Sequence, residues 1–161
     1  IVFHPGYYGK SDEKETYQNI KKEIQKMKKV IAIKKWNVKL CPETSGKRSQ
    51  FGSLKEILKL HKETGCGMCV DFAHLLARNG SIDYQNVLKK LPKKFHAHFS
   101  GVEYGKKGEK RHILIDEHEF QKLTKHLILQ DKDVSIVCES PDPYGDAIKM
   151  KRIVEKQMKI K

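Results

Sequence analysis

Gly67-Met-Cys-Val-Asp71 is a short run, small and apolar until it closes on a carboxylate, and Phe72-Ala-His74 behind it opens a helical pattern. An apolar run of that length, bounded by glycine, reads as a buried strand rather than a buried helix. The same phrase recurs in both directions: downstream as Lys94-Phe-His-Ala-His98 and Val134-Ser-Ile-Val-Cys-Glu139, upstream as Asn37-Val-Lys-Leu-Cys-Pro-Glu43 and Ile1-Val-Phe-His4. Runs with helical spacing fill the intervals. Asp12 to Val30 carries Tyr17, Ile20, Ile24 and Met27 at that spacing, and Ser53 to Leu60 carries Leu54, Ile57 and Leu58; Asp116 to Leu127 and Asp146 to Met158 repeat the pattern. Five strands alternating with helices predict an α/β fold with parallel strands and crossover helices.

Local signals agree with that frame. Ser11 and Ser53 stand as N-caps, Glu56 sits three residues after Ser53 as a capping box requires, and Gly65 ends the helix so begun. Asp83 to Lys90 reads as a short helix stopping before Pro92, and Gly105 to Arg111 as a polar loop. The 161 residues, 38% hydrophobic and 33% charged, form one domain spanning 1–161. No apolar stretch approaches the roughly 20 residues of a membrane span. Cys41, Cys66, Cys69 and Cys138 lack the pattern of a secreted disulfide scaffold, so a reduced, cytoplasmic setting is expected. Cys66 and Cys69 have zinc-ribbon spacing, but no second pair exists, and they read as strand and turn residues. A net charge of +13 favours an anionic partner, nucleic acid among others. The excess is nearly all lysine, however, which a heat-adapted surface would also carry.

Each predicted strand ends on a potential metal ligand: His4, Glu43, Asp71, His98 and Glu139. Parallel α/β folds build their sites where strands finish, so these five converge on one rim. His74, three residues after Asp71, belongs to the same end, and His112 follows the polar loop behind His98. Imidazoles and carboxylates in this number suit Zn²⁺ or Mn²⁺, and so large a set suits two or more ions bridged by a carboxylate. His61, His118 and His126 lie in helical patterns and read as surface or satisfied core residues; His96 is assigned to the strand face opposite His98, outside the ligand set.

The phrases around these ligands are recognisable as a group: His4-Pro-Gly6, Pro42-Glu-Thr-Ser-Gly-Lys47 with Ser49-Gln-Phe-Gly52, Cys69-Val-Asp-Phe-Ala-His74, His98-Phe-Ser-Gly101, Arg111-His112 and Glu139-Ser-Pro141. In that order they resemble the endonuclease IV family, most closely its archaeal members. The resemblance implies a (β/α)₈ TIM barrel, here an incomplete one of about five βα units corresponding to strands 4–8. It implies up to three Zn²⁺ ions and hydrolysis of the phosphodiester 5′ to abasic sites in double-stranded DNA. Glu43 would be the catalytic, bridging carboxylate, with His4 on one ion, Asp71, His98 and Glu139 on a second, and His74 with His112 on a third. Lys47 and Arg48 in the loop after Glu43, and Lys106 and Lys107, would meet the DNA backbone.

Two departures stand out. The family carries an aspartate two residues before its loop histidine, where this chain has Lys110 with Glu109 adjacent. Either Glu109 substitutes through a shifted loop, or the third ion is weak or absent. The match also begins at the fourth strand, and a complete barrel runs to about 250 residues. A five-stranded piece exposes two sheet edges, so if it is the whole chain a homodimer is expected. Two alternatives remain: a sugar isomerase or epimerase on the same barrel, using Glu43, Asp71, His98 and Glu139 around one metal, and an inactive truncated remnant.

Overall fold

A computed structural model describes residues 1–159. In chain order the elements are β1 (Val2–Phe3), α1 (Glu13–Ile33), β2 (Cys41–Pro42), α2 (Leu54–Thr64), β3 (Cys69–Asp71), α3 (Phe72–Asn79), α4 (Tyr84–Lys90), β4 (Lys94–Phe99), β5 (Gly101–Gly105), β6 (Gly108–Ile113), α5 (Glu117–Leu129), β7 (Asp133–Cys138) and α6 (Pro143–Met158). β1 pairs with β2, and β3, β4 and β7 pair in that order, all in parallel. A parallel bridge between Glu43 and Cys69 joins the two sets. Five parallel strands thus follow one another across the fold in sequence order, each succeeded by at least one helix. Among the described residues no strand joins β1 to β7, so the barrel is incomplete and open.

Alternation along β4 decides which face is which. Phe95, Ala97 and Phe99 enter the hydrophobic core with Val70, Ile57, Leu60, Leu75, Leu88, Phe120, Leu123 and Met150, all buried. His96 and His98 take the other face, and their rings lie 5.2 Å apart. This corrects the assignment of His96: side chains alternate with period two, so residues two apart share a face. His96 therefore stands one step below His98 on the concave side.

Caps fix where the helices begin. Ser53 starts α2 with a complete capping box: its backbone N–H donates to Glu56 Oε2 at 2.8 Å, and the Glu56 N–H donates back to Ser53 Oγ at 3.4 Å. Gly65 ends that helix at φ 64°, a left-handed geometry that costs glycine nothing. Ahead of α1 the cap is Asp12 and not Ser11; Asp12 Oδ1 accepts from the Glu15 N–H at 2.7 Å, and its charge also suits the positive helix end. The segment read as a polar loop is an antiparallel hairpin, β5 with β6, turning through Lys106-Lys107. Its residues are largely polar or solvent-facing, and the one apolar alternation, Val102 with Tyr104, is too short to announce it. No helix among the described residues is long and apolar enough to cross a membrane.

Ser53→Ala removes the acceptor of the capping box and is expected to cost about 1 kcal/mol. Urea unfolding should show a lower midpoint with an unchanged slope.

Candidate metal centre

Asp71 is the joint between β3 and α3. It caps the helix, its Oδ1 accepting from the His74 N–H at 2.7 Å, so strand end and first helical turn are locked together. Its other oxygen, Oδ2, is buried with no hydrogen-bond partner. Register places Asp71 beside His98 on β4, and His98 Nδ1 lies 2.9 Å from Glu43 Oε1 and 3.0 Å from Glu139 Oε1. Ligand atoms of Glu43, Asp71, His98 and Glu139 all stand within 4.8 Å of one another. Two further sets share members with the first: His4 with Glu43 and His74, and Asp71 with His74 and His112. All seven residues read from the sequence as ligands are therefore gathered on one rim.

Three of the four imidazoles in these sets are oriented by neutral oxygens. His74 Nδ1 is 2.9 Å from the carbonyl of Thr44, an acceptor only, so Nδ1 carries the proton and Nε2 the lone pair. Ser100 Oγ donates to the Gly101 carbonyl at 2.8 Å, leaving it to accept from His112 Nδ1 at 2.5 Å. Ser45 Oγ likewise donates to the Phe51 carbonyl at 2.9 Å and accepts from His4 Nδ1 at 3.2 Å. In each ring Nε2 is left as the free acceptor. His74 Nε2 and His112 Nε2 then face each other at 3.2 Å, and His4 Nε2 faces Glu43 Oε2 at 3.8 Å. This is the tautomer and outer-shell arrangement that metal-ligating histidines use.

Electrostatics point the same way. Burial pushes the Asp71 carboxyl up to about 7, and the nearby Glu43 and Glu139 charges add to the shift. Burial opposes a charge on His98, but Cys69, Glu139 and Glu43 together outweigh it, and its pKa stands well above the ordinary range. A hydrogen bond from His98, set against partial burial, holds Glu139 below its usual value. Three carboxylates crowd around a single imidazole here, with a buried carboxylate oxygen unanswered. A divalent cation relieves both conditions, and the imidazole and carboxylate donors fit Zn²⁺ or Mn²⁺.

The loop after β2 is pinned from below. Arg78, at the end of α3, donates through Nη1 to the carbonyls of Lys47 at 2.7 Å, Gln50 at 3.0 Å and Ser45 at 3.3 Å. Sequence reasoning passed over Arg78, Ser45, Thr44 and Ser100 as partners of the site, because the histidine rings and carbonyls they meet come together only in the fold; that Arg78 is one of only four arginines in a lysine-rich chain was the one available signal. Cys69, read as a strand residue, lies in β3 as expected, and its Sγ stands within 4.8 Å of ligand atoms of His96 and His98. Of the four basic residues assigned to DNA, Arg48, Lys106 and Lys107 are exposed and Lys47 is half-buried. The Arg48 N–H donates to the Lys107 carbonyl at 3.1 Å, which brings the loop and the hairpin turn together beside the rim.

Comparison with known proteins follows this geometry. An uncharacterized protein of Methanocaldococcus jannaschii is 41% identical over 163 residues, covering 92% of this chain and 60% of that protein. A probable endonuclease 4 of Mycoplasmopsis pulmonis is 31% identical over 159 residues, covering 88% of this chain and 56% of that protein. The chain thus spans little more than half the length of these relatives. The crystal structure of SacUVDE superposes with a TM-score of 0.72 over 98% of this chain and 52% of that one; at 20% identity it speaks for the fold alone. The family described as xylose isomerase-like TIM barrel matches residues 1–159, and the chain belongs to it.

Proposed function

We propose that this chain carries the metal centre of a DNA repair endonuclease of the endonuclease IV type, which uses up to three Zn²⁺ ions to hydrolyse the phosphodiester 5′ to abasic sites. The observation that carries the reading is the position of Glu43. One carboxylate oxygen faces His98 at 2.9 Å and the other faces His4 at 3.8 Å, so the group lies between two sets of imidazoles. That is the disposition a bridging ligand needs. The likeness to the probable endonuclease 4 supports the substrate class.

Bound divalent ions supply a water of lowered pKa and positive charge against the phosphate in the transition state. The chain's own residues do the rest. Glu43 spaces the two ligand sets, while Asp71, His98 and Glu139 supply one of them. Ser45, Thr44 and Ser100 hold His4, His74 and His112 in the tautomer that presents Nε2. Arg78 fixes the loop whose Lys47 and Arg48 meet backbone phosphates, together with Lys106 and Lys107 at the hairpin turn. The acidic rim needs such cations beside it, since DNA would otherwise be repelled.

A second reading has one observation in its favour. Glu43, Asp71, His98 and Glu139 by themselves form a compact four-ligand set, as a single-metal sugar isomerase or epimerase of this family would require. Metal stoichiometry separates the two, because more than one ion per chain excludes the isomerase arrangement.

Glu43→Gln is expected to lower nicking of a duplex with one abasic analogue by at least roughly 10²-fold, the scale of removing one transition-state-stabilising group. Elemental analysis should show bound metal falling with it, and full nicking by this variant would sink the mechanism. The double variant Lys106→Ala/Lys107→Ala should weaken duplex binding whatever the sequence and flatten the log affinity against log salt plot by about one unit for each phosphate no longer neutralised. An unchanged slope would remove both lysines from the interface. Isolated as these 161 residues, the chain is expected to join its open edges β1 and β7 to a second copy. Light scattering that finds a concentration-independent monomer would refute that pairing.

A further inference from the structure

The β5–β6 ladder contains an irregularity with chemical content. Gly101, Val102 and Glu103 face Ile113, His112 and Arg111 in regular succession, but Tyr104 then faces Glu109 and Gly105 faces Gly108. Lys110 is the extra residue, a one-residue bulge on β6. Without it, alternation would return Lys110 to the face of His112 and turn Glu109 away. With it, Glu109 stands opposite Tyr104 as His112 stands opposite Val102, and Val102 and Tyr104 share a face. Lys110 is directed to the other side, where its Nζ meets Glu103 Oε1 at 3.2 Å beside the Arg111 contact to Glu103 Oε2 at 2.8 Å.

We infer that Glu109, carried onto the face of His112 by the bulge at Lys110, is a direct ligand to a divalent cation held with His74 and His112. This rests on the multi-metal reading above and adds to it a ligand that the family's residue spacing does not supply. Glu109 Oε2 lies 3.4 Å from His74 Nε2, and its Oε1 lies 3.8 Å from His112 Nε2. Both separations exceed the roughly 2.7–3.2 Å of a hydrogen bond, and with Nδ1 of each ring committed to a scaffold oxygen, Nε2 of the neutral ring is the lone-pair donor. Two donors each about 2.1 Å from a tetrahedral Zn²⁺ stand about 3.4 Å apart. The His74–His112 and His74–Glu109 separations, 3.2 and 3.4 Å, lie near that value, and the 3.8 Å to His112 Nε2 is made by the second carboxylate oxygen, so Glu109 faces the pair with both oxygens.

The surroundings are shaped to admit the carboxylate. A Cβ on Gly46 would fall 2.7 Å from Glu109 Cβ, 2.8 Å from its Oε2 and 3.0 Å from His74 Cδ2, so only glycine leaves room for both ligands. The Glu109 N–H donates to the Gly46 carbonyl at 3.2 Å, and Gly108 takes φ +97° to pass that carbonyl closely. The side chains are 2% exposed for His74, 15% for Glu109 and 23% for His112, which leaves a solvent-side opening on an otherwise enclosed site.

The test is Co²⁺ titration of the metal-stripped full chain, followed by visible absorption and elemental analysis. Glu109→Gln should lose one Co²⁺ equivalent, or weaken it by more than the roughly 10–100-fold that an outer-shell partner costs. Lys110→Ala should keep it. Deleting Lys110 should also keep it, since the ladder becomes regular and Glu109 comes to lie two residues before the histidine. Glu109→Cys should keep the ion and add a thiolate-to-cobalt charge-transfer band, a readout that does not depend on how well Glu109→Gln folds. Wild-type uptake by Glu109→Gln, or no such band from Glu109→Cys, overturns the assignment of Glu109 and leaves the nuclease reading standing. A wild-type chain that takes up no Co²⁺ overturns both.

Discussion

The Asp71 carboxylate holds strand, helix and site in one piece. Through Oδ1 it caps α3, and through its backbone it is tied to the next strand end, the Thr44 hydroxyl accepting from the Asp71 N–H at 2.9 Å. Those bonds leave Oδ2 buried and unanswered at the centre of the rim. An unpartnered buried carboxylate oxygen is costly, and fixed protein bonds prevent it from turning back to solvent. The cap stabilises the fold while presenting a charge that only a proton or a cation can answer. Its raised pKa is the proton's version of that answer.

The same division of labour recurs around the rim. His4, His74 and His112 each commit Nδ1 to a hydroxyl or carbonyl that belongs to the scaffold, and each presents Nε2 inward. Nitrogen lone pairs of these three rings and the carboxylate oxygens therefore converge, with His98 the donor among the carboxylates. Such convergence is unfavourable by itself and is sustained by the packing beneath it, where Val70, Ala97 and Phe99 anchor the strands to buried helices. Local frustration of this kind, set on a consistent scaffold, marks a site built to bind.

Much of this was legible in the sequence for a definite reason. Asp71 and His74 could be read together because a capping carboxylate and the third residue after it meet by local geometry alone. Glu43, His98 and Glu139 were legible because parallel strands deliver their ends to one rim. His96 was not, through a miscount of strand alternation. The hairpin was missed because its strands are largely polar, with only Val102 and Tyr104 alternating on β5, and the bonds that fasten it run to Gly46 and Arg48, far away in the chain. A bulge leaves no trace in a residue pattern, so the sequence left open whether Glu109 substitutes through a shifted loop or the third ion is weak or absent. The backbone register between β5 and β6 puts Glu109, and not Lys110, on the face of His112.

That hairpin also relates binding to chemistry. Its inner face carries Glu109 and His112, its turn carries Lys106 and Lys107, and two backbone bonds, Glu109 N–H to the Gly46 carbonyl and Arg48 N–H to the Lys107 carbonyl, fasten it to the loop behind Glu43. Arg78 holds that loop from the opposite side by three carbonyls. Side chains proposed to meet phosphate and side chains proposed to hold metal thus sit on one stitched unit, with backbone bonds rather than long lysine stems fixing the distance between them. A phosphate seated against the turn would meet the rim at a spacing fixed before it arrives, and a preset spacing of this kind lowers the entropic part of a hydrolytic barrier.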